Sequence, residues 1–234
     1  HSTDSGKKTG LFLLILILLF GTVLRVNNLD RASLWVDEVI TASTAESYAE
    51  QGEFRLLSGR EYTRGTLHLY LTSLVYTFLE PGEFSTRLIP ALFGVLSILL
   101  IYLLGKTFFN WKVGVFAAFL AAFSHFEIGW SRTARVYTML QFFTLLSAWL
   151  FLLALEHRER QNVQSLLSLK DDSVFSRISR FCKRWGFTPL WLVPAVLVIG
   201  AGYCYLHKLS LFILLSVFCY LLFMAVFTAL VERK

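Results

Sequence analysis

The sequence predicts an all-α polytopic membrane protein, and three observations carry that reading. Hydrophobic residues make up 56% of the 234 positions and charged residues only 16%, with 22 Phe and a mean hydropathy of +0.60, far too apolar for an ordinary soluble domain. The apolar residues fall in runs long enough to cross a bilayer, separated by short polar segments. The Lys and Arg behind the formal charge of +6 cluster in those segments, as the bias towards basic cytoplasmic loops requires, and no nucleic-acid signature accompanies them. Cys182, Cys204 and Cys219 form no CxxC pair and read as small buried hydrophobes, so neither a disulfide framework nor a zinc cluster is expected.

Residues 1–10 form a polar lead with the composition of an appended tag, and the membrane domain is expected over 11–234. Leu11 to Val26 is the first span. Lys7 and Lys8 before it place its N-terminus in the cytoplasm, and the run lacks a small-x-small cleavage site, so an uncleaved helix is expected. The first outer loop then covers 27–86. Within it Ala42, Ala45 and Ala49 recur at helical spacing, predicting a surface helix from about Asp37 to Glu50 that stops at Gly52. Thr66 to Leu79 is apolar but short: at 1.5 Å per residue it covers roughly 21 Å against a hydrocarbon core of about 30 Å, so it is expected to lie on the surface or re-enter.

The choice fixes sidedness downstream. Spans follow at about 87–105, 113–130 and 136–155, then a basic cytoplasmic loop at 157–187, then spans at 189–206 and 209–230. Counting 66–79 as a full crossing would put the basic loop outside, so the charge rule favours six spans. In that loop Val174, Phe175, Ile178, Phe181, Cys182 and Trp185 repeat at helical spacing between Arg177, Arg180, Lys183 and Arg184. Such a basic amphipathic helix suits anionic membrane lipids, with a calmodulin-type target as the competing reading.

The polar residues expected outside carry the candidate chemistry. Asp37 and Glu38 follow Trp35-Val36; adjacent acids either begin a helix, where they meet unpaired N–H groups, or supply a base. Arg60, Glu61 and Arg64 precede the short helix, His68 lies within it, and Arg87 opens the second span. Arg132 and Arg135 are three apart, so on a helix they would share a face and could grip one phosphate; the competing reading is that they snorkel to the headgroups. His68 reads as an interfacial side chain or a metal ligand. His125 and Glu127, near the outer end of the third span, either line the same cavity or satisfy each other. The chain has no Gly-rich phosphate loop, so an anionic substrate must be held by side chains.

Trp35-Val36-Asp37-Glu38, then Phe84-Ser85-Thr86-Arg87-Leu88 with Ala91 and Gly94, then Trp130-Ser131-Arg132 and Arg135-Val136-Tyr137 together resemble the family 39 membrane glycosyltransferases. These are the protein O-mannosyltransferases and aminoarabinose transferases, and the resemblance spans roughly Leu11 to Leu155. It implies a GT-C-like transmembrane helix bundle with extracytoplasmic juxtamembrane helices in the first loop. It also implies a hexosyl or pentosyl transferase that takes sugar from a polyprenyl-phosphate donor on the outer face, with Asp37 as general base. Many relatives carry His-Pro-Pro-Leu where this chain has Thr63-Arg64-Gly65-Thr66-Leu67, and the C-terminal half of a typical member is expected to be absent.

The chemistry agrees with the resemblance. Transfer from a lipid phosphodiester needs a base for the acceptor hydroxyl and cations for the departing phosphate, which needs no general acid. Asp37 and Glu38 are therefore the candidate catalytic pair, with Arg132, Arg135 and Tyr137 on the donor phosphate and Arg64, His68 and Arg87 on substrate. Glu38 could bind the acceptor, orient Asp37 or hold a divalent metal; no other cofactor is expected. The resemblance implies a protein, lipid or glycan acceptor, and the site is expected to face outward from the cell membrane. The rival readings are a non-catalytic scaffold or a lipid-linked-sugar transporter or flippase, but transporters place ionisable groups near mid-membrane, where these spans are almost free of charge.

Overall fold

A computed structural model describes residues 2–156 of the chain, together with positions 197, 200, 202 and 205. Apart from those four positions, the expected spans 189–206 and 209–230, the basic loop 157–187 and its amphipathic helix lie outside the described residues. The described chain is helical: α1 (Ser2–Val26), α2 (Val36–Gln51), α3 (Thr66–Tyr76), α4 (Glu83–Phe108), α5 (Trp111–Phe123), α6 (His125–Ser131) and α7 (Tyr137–Glu156). No β-strand forms among these residues beyond an isolated bridge between Arg55 and Glu61.

By length and composition Lys8–Val26 and Glu83–Phe108 can each cross a bilayer, and α5 with α6 makes a third crossing if the bent pair is one span. Tyr137–Leu153 is a shorter apolar helix. The first helix begins at Ser2, so the polar lead continues the helix of the span. The short helix α3 is 11 residues, roughly 16 Å at helical rise, and cannot cross. The run expected as the third span, about 113–130, is bent: α5 and α6 meet at Ser124 at 62°. Ser124 is extended there, and its hydroxyl accepts the Glu127 N–H at 3.4 Å, restarting the helix in a new direction. The apolar run thus contains a capping residue that the hydropathy pattern hides.

Around α4 the packing is dense. Leu14 and Ile17 of α1, Ile98 and Tyr102 of α4, and Ala118 and Ala122 of α5 form one buried cluster. A second, around Ile89 and Met139, gathers Leu67, Leu71 and Val75 of α3 with Phe93, Val136 and Phe143. Between helices of similar apolarity to the lipid, close backbone approach replaces the hydrophobic drive, and small residues mark the crossings. At Gly94 an added Cβ would lie 2.7 Å from the Cβ of Ser131, and nearer still to its hydroxyl, so α4 and α6 touch there only because the side chain is absent.

The surface helix α2 ends as the sequence predicts, with Gly52 in the left-handed conformation (φ 74°) donating its N–H to Tyr48 O at 2.9 Å. Its buried face is Glu38, Thr41, Thr44 and Ala45, so of the three recurring alanines only Ala45 is buried. The N-terminal part of α1 meets Trp111 at the α4–α5 turn, whereas the end of α1 and the starts of α2, α4 and α7 gather at the opposite end of the bundle. The charged residues of interest all sit at this second end.

Candidate active site at the polar end of the bundle

Two systems of charge share this end, one closed and one open. The closed one is centred on Glu38 and Arg87, whose side chains are 2% and 6% exposed. Arg87 Nε donates to Glu38 Oε1 at 2.9 Å and Nη2 to Oε2 at 2.7 Å. Its remaining N–H groups donate to the carbonyls of Leu29 (2.8 Å), Ala32 (2.7 Å) and Ser33 (3.2 Å). All the donors of a guanidinium are thereby occupied. Glu38 accepts further from Ala134 N–H at 2.7 Å and Trp35 N–H at 3.3 Å, which fills the acceptor directions of both its oxygens. Burial by itself would raise this carboxyl's pKa, but the Arg87 guanidinium and the Ala134 and Trp35 N–H groups outweigh it and hold it below the ordinary range.

The clamp ties the 27–35 loop, α2, α4 and the 132–136 connection into one unit. It also changes the expected roles. Glu38 has no lone pair free for an acceptor hydroxyl or a metal, and Arg87 has no donor free for substrate. A divalent metal on Glu38 therefore does not fit these residues, and no group of three or more His, Cys, Asp or Glu gathers among the described residues.

Arg132 and Arg135 do not share a helix face, because both lie in the 132–136 connection between the end of α6 at Ser131 and the start of α7 at Tyr137. Arg132 follows α6 and donates to the carbonyls of Leu24 (3.2 Å), Asn27 (2.7 Å) and Asn28 (2.8 Å), binding the exposed C-terminal end of α1. Arg135 turns the other way, towards α2. The bend between α5 and α6 is held by a residue the sequence reading gave no role: Arg25, 1% exposed, donates to Ala121 O (3.1 Å), Ala122 O (3.0 Å) and Ser131 Oγ (3.2 Å). An arginine in the last turn of a span, opposite a polar pair within another apolar run, was the available signal. Glu127 is not paired with His125; its carboxylate accepts from Gln141 Nε2 at 3.0 and 2.9 Å.

The open system contains Asp37. Its carboxylate lies 3.5 Å from Arg135 Nη2, with Asp37 40% and Arg135 20% exposed. A second contact, Arg135 Nη1 to Asp37 O, is also 3.5 Å, and the guanidinium lies over the Tyr137 ring at 5.6 Å. Arg135 lines a cavity of about 110 Å³ with Thr41, Tyr62, Arg64, His68 and Tyr137. Of the expected site residues the fold therefore brings Asp37, Arg64, His68, Arg135 and Tyr137 together, while Glu38, Arg87 and Arg132 support the framework. Thr41 and Tyr62 join the site from positions no motif marks. His68 is 2% exposed, and burial followed by the charge of Arg135 lowers its pKa to about 4, so the imidazole is neutral at physiological pH. Thr66, at the start of α3, donates to the carbonyl of Tyr205 at 3.4 Å, so a later part of the chain returns to this end.

Residues 64–169 match the family model described as dolichyl-phosphate-mannose-protein mannosyltransferase, a segment that includes Arg64, His68, Arg87, Arg132, Arg135 and Tyr137. Among solved structures, the oligosaccharyltransferase of Archaeoglobus fulgidus tethered to an acceptor peptide with the NVT sequon superposes with a TM-score of 0.60 at 20% identity. The match covers 85% of this chain and 24% of that one. The same archaeon's oligosaccharyltransferase AglB, in complex with an inhibitory peptide and a dolichol-phosphate, gives a TM-score of 0.61 at 20% identity, over 86% of this chain and 24% of that one. The likeness is one of fold, and this chain spans about a quarter of the length of those proteins, as those coverages show. No curated protein matches it. The expected GT-C-like helix bundle is the fold observed, and residues 64–169 carry within it the sequence pattern of the dolichyl-phosphate-mannose-protein mannosyltransferase family.

Proposed function

We propose that this chain is the catalytic membrane portion of a glycosyltransferase that moves a sugar from a polyprenyl-phosphate-linked donor to a protein, lipid or glycan acceptor, with Asp37 as general base. The observation that carries this reading is the exposed Asp37 carboxylate 3.5 Å from Arg135, which itself lines a cavity rich in polar groups. The family match over 64–169 supports glycosyl transfer. The dolichol-phosphate and peptide bound by the archaeal oligosaccharyltransferase support a lipid-phosphate donor and favour a peptide among the acceptors.

In this mechanism the acceptor hydroxyl loses its proton to Asp37 as its oxygen attacks the anomeric carbon. The bond from that carbon to the phosphate oxygen breaks in the same inverting displacement, and the electron pair leaves with the phosphate. The phosphate gains a negative charge, which Arg135 is placed to stabilise as it develops. Arg135 also orients Asp37, through contacts at 3.5 Å to its carboxylate and its carbonyl. Glu38 and Arg87 act through position: the hydrogen bond from Ala134 N–H to Glu38 fixes the connection that carries Arg135 beside the helix that carries Asp37. A transporter is less well supported, since the buried Arg25 and Arg87 are occupied by carbonyls and Glu38.

The active end is placed outside the cell membrane, with Lys7, Lys112 and 158–183 in the cytoplasm and Asp37, Arg64 and Arg132 outside; cysteine labelling from each face of intact vesicles tests this. For the base, the test is transfer by the full-length protein reconstituted with a panel of polyprenyl-phosphate sugars. Asp37→Asn should lower transfer by about 10²–10⁴-fold with thermal stability retained, and Asp37→Glu should be partly active because it displaces the carboxylate. Full transfer by Asp37→Asn would overturn the assignment.

A further inference from the structure

We propose that the groove between α1 and α5 holds a tail of one anionic phospholipid, whose headgroup phosphate meets Lys112 at the end of the bundle away from Asp37. The two helices approach each other through glycines. A Cβ added at Gly10 would lie 2.9 Å from the Trp111 ring, and one added at Gly21 would lie 3.5 Å from the Cβ of Ala122. Between these contacts the outward faces carry large side chains that flank an open groove of about 500 Å³. Ile17, which is buried, forms its floor, and Leu13, Phe20, Phe116, Phe119 and Phe123 stand exposed along its sides. Its volume lies within the range of about 300–1,000 Å³ found for ligand sites.

The lining is apolar along its length and cationic at one end. Among the described residues Lys112 is the one charged group that lines it, with Nζ over the Trp111 ring at 5.9 Å, and no carboxylate joins it there. Tryptophan suits the boundary between hydrocarbon and headgroups. Lys112 also stands in the first turn of α5, where the helix's own N–H groups carry positive charge and an acid is favoured; α5 has none there. Two positive features thus meet at the mouth of the groove, and an anionic headgroup relieves both. By chain position Lys7, Lys8, Lys106 and Lys112 outnumber Asp4 and Glu156 at this end. Basic residues between helices at a membrane face are a recurring means of binding anionic lipid headgroups.

Length then selects the occupant. From Trp111 to Phe123 α5 rises roughly 18 Å, a little over half of a hydrocarbon core of about 30 Å, so the groove runs from one membrane surface to near the midplane. That is the depth of one leaflet, and so of a phospholipid tail. A polyprenyl tail entering from the Asp37 end would leave Lys112 without a counter-charge, and an apolar span laid over the groove would supply none either. The later contact Thr66 to Tyr205 O lies at α3, which packs around Ile89 and Met139, away from the cluster that α1 and α5 form with Ile98 and Tyr102. The site goes beyond glycosyl transfer and stands without it.

The test measures lipid binding to the full chain in detergent by native mass spectrometry, with phosphatidylglycerol and phosphatidylcholine of the same acyl chains as probes. Phosphatidylglycerol should bind about five-fold tighter, the gain from one basic residue at an anionic headgroup. Lys112→Gln, at an exposed position, should reduce it to the phosphatidylcholine level. Lys106→Gln, exposed at the same end but outside the groove, should stay within about two-fold of the parent. Leu13→Trp encroaches on the groove and should weaken both lipids alike. Equal binding of the two phospholipids by the parent, unchanged phosphatidylglycerol affinity in Lys112→Gln, or an equal loss in Lys106→Gln would overturn the site. So would a loss of farnesyl phosphate, a short polyprenyl monophosphate, in Lys112→Gln as large as that of phosphatidylglycerol, since the groove would then take the tail of the proposed donor. None of these results bears on Asp37 as base.

Discussion

Replacing Glu38 by Gln removes one charge and one acceptor oxygen from a buried cluster, and its consequence follows from the hydrogen-bond inventory. The carboxylate accepts from Arg87 Nε and Ala134 N–H on one oxygen and from Arg87 Nη2 and Trp35 N–H on the other. A Gln amide can satisfy one such pair, but its NH₂ then faces the other two donors, and Arg87, 6% exposed, loses its counter-charge. Removing one partner of a buried pair typically costs about 3–5 kcal/mol. For a chain of this length that corresponds to a fall in Tm on the order of 10 °C. The assay is the thermal stability of the detergent-solubilised protein, read as loss of the monodisperse peak on size exclusion after heating. Glu38→Leu with Arg87→Met should cost less than either single change, because the double variant leaves no buried charge unpaired. Glu38→Gln with an unchanged Tm and a normal peak would show that the clamp is not what joins these helices, and would return Glu38 to the list of candidates for direct contact with substrate.

Three further outcomes follow from the geometry. Arg132→Ala should lower stability by about 1 kcal/mol, through lost capping of α1, while farnesyl phosphate affinity stays within about two-fold; a large loss of affinity would show that this arginine also reaches the donor. Gly94→Ala should destabilise by about 1–3 kcal/mol in the same thermal assay, because the new methyl meets Ser131 and must push α4 from α6. For His68, lowered from 6.5 to about 4 in the folded state, the unfolded chain binds more protons in that interval. Its stabilising contribution is therefore present above about pH 6.5 and is lost as pH falls towards 4, by at most about 3 kcal/mol. The parent should lose more Tm than His68→Gln over that range, and equal losses would refute the neutral buried imidazole.

The elements themselves were legible in the sequence because they depend on local composition. The first two apolar helices, the surface helix stopped at Gly52 and the short helix expected over 66–79 and observed over Thr66–Tyr76 follow from apolar run length and turn chemistry, which neighbouring residues fix. The end of the bundle at which charge gathers was also legible, since arginine and acid cannot be left unpaired among lipid tails. Spacing could not say which arginine does what. Arg132 and Arg135 differ only in the direction the chain takes where α6 stops, and that direction is set by Arg25 reaching across from α1 to the broken span. Asp37 and Glu38 are neighbours in sequence, yet a helix points them about 100° apart, so packing turned Glu38 inward to Arg87 and left Asp37 outward beside Arg135. The sequence by itself determined the residue types, the helices and the end of the molecule where they meet; the tertiary structure decided which charges are closed off and which remain open, because occupancy of a hydrogen-bonding group depends on partners brought from far along the chain.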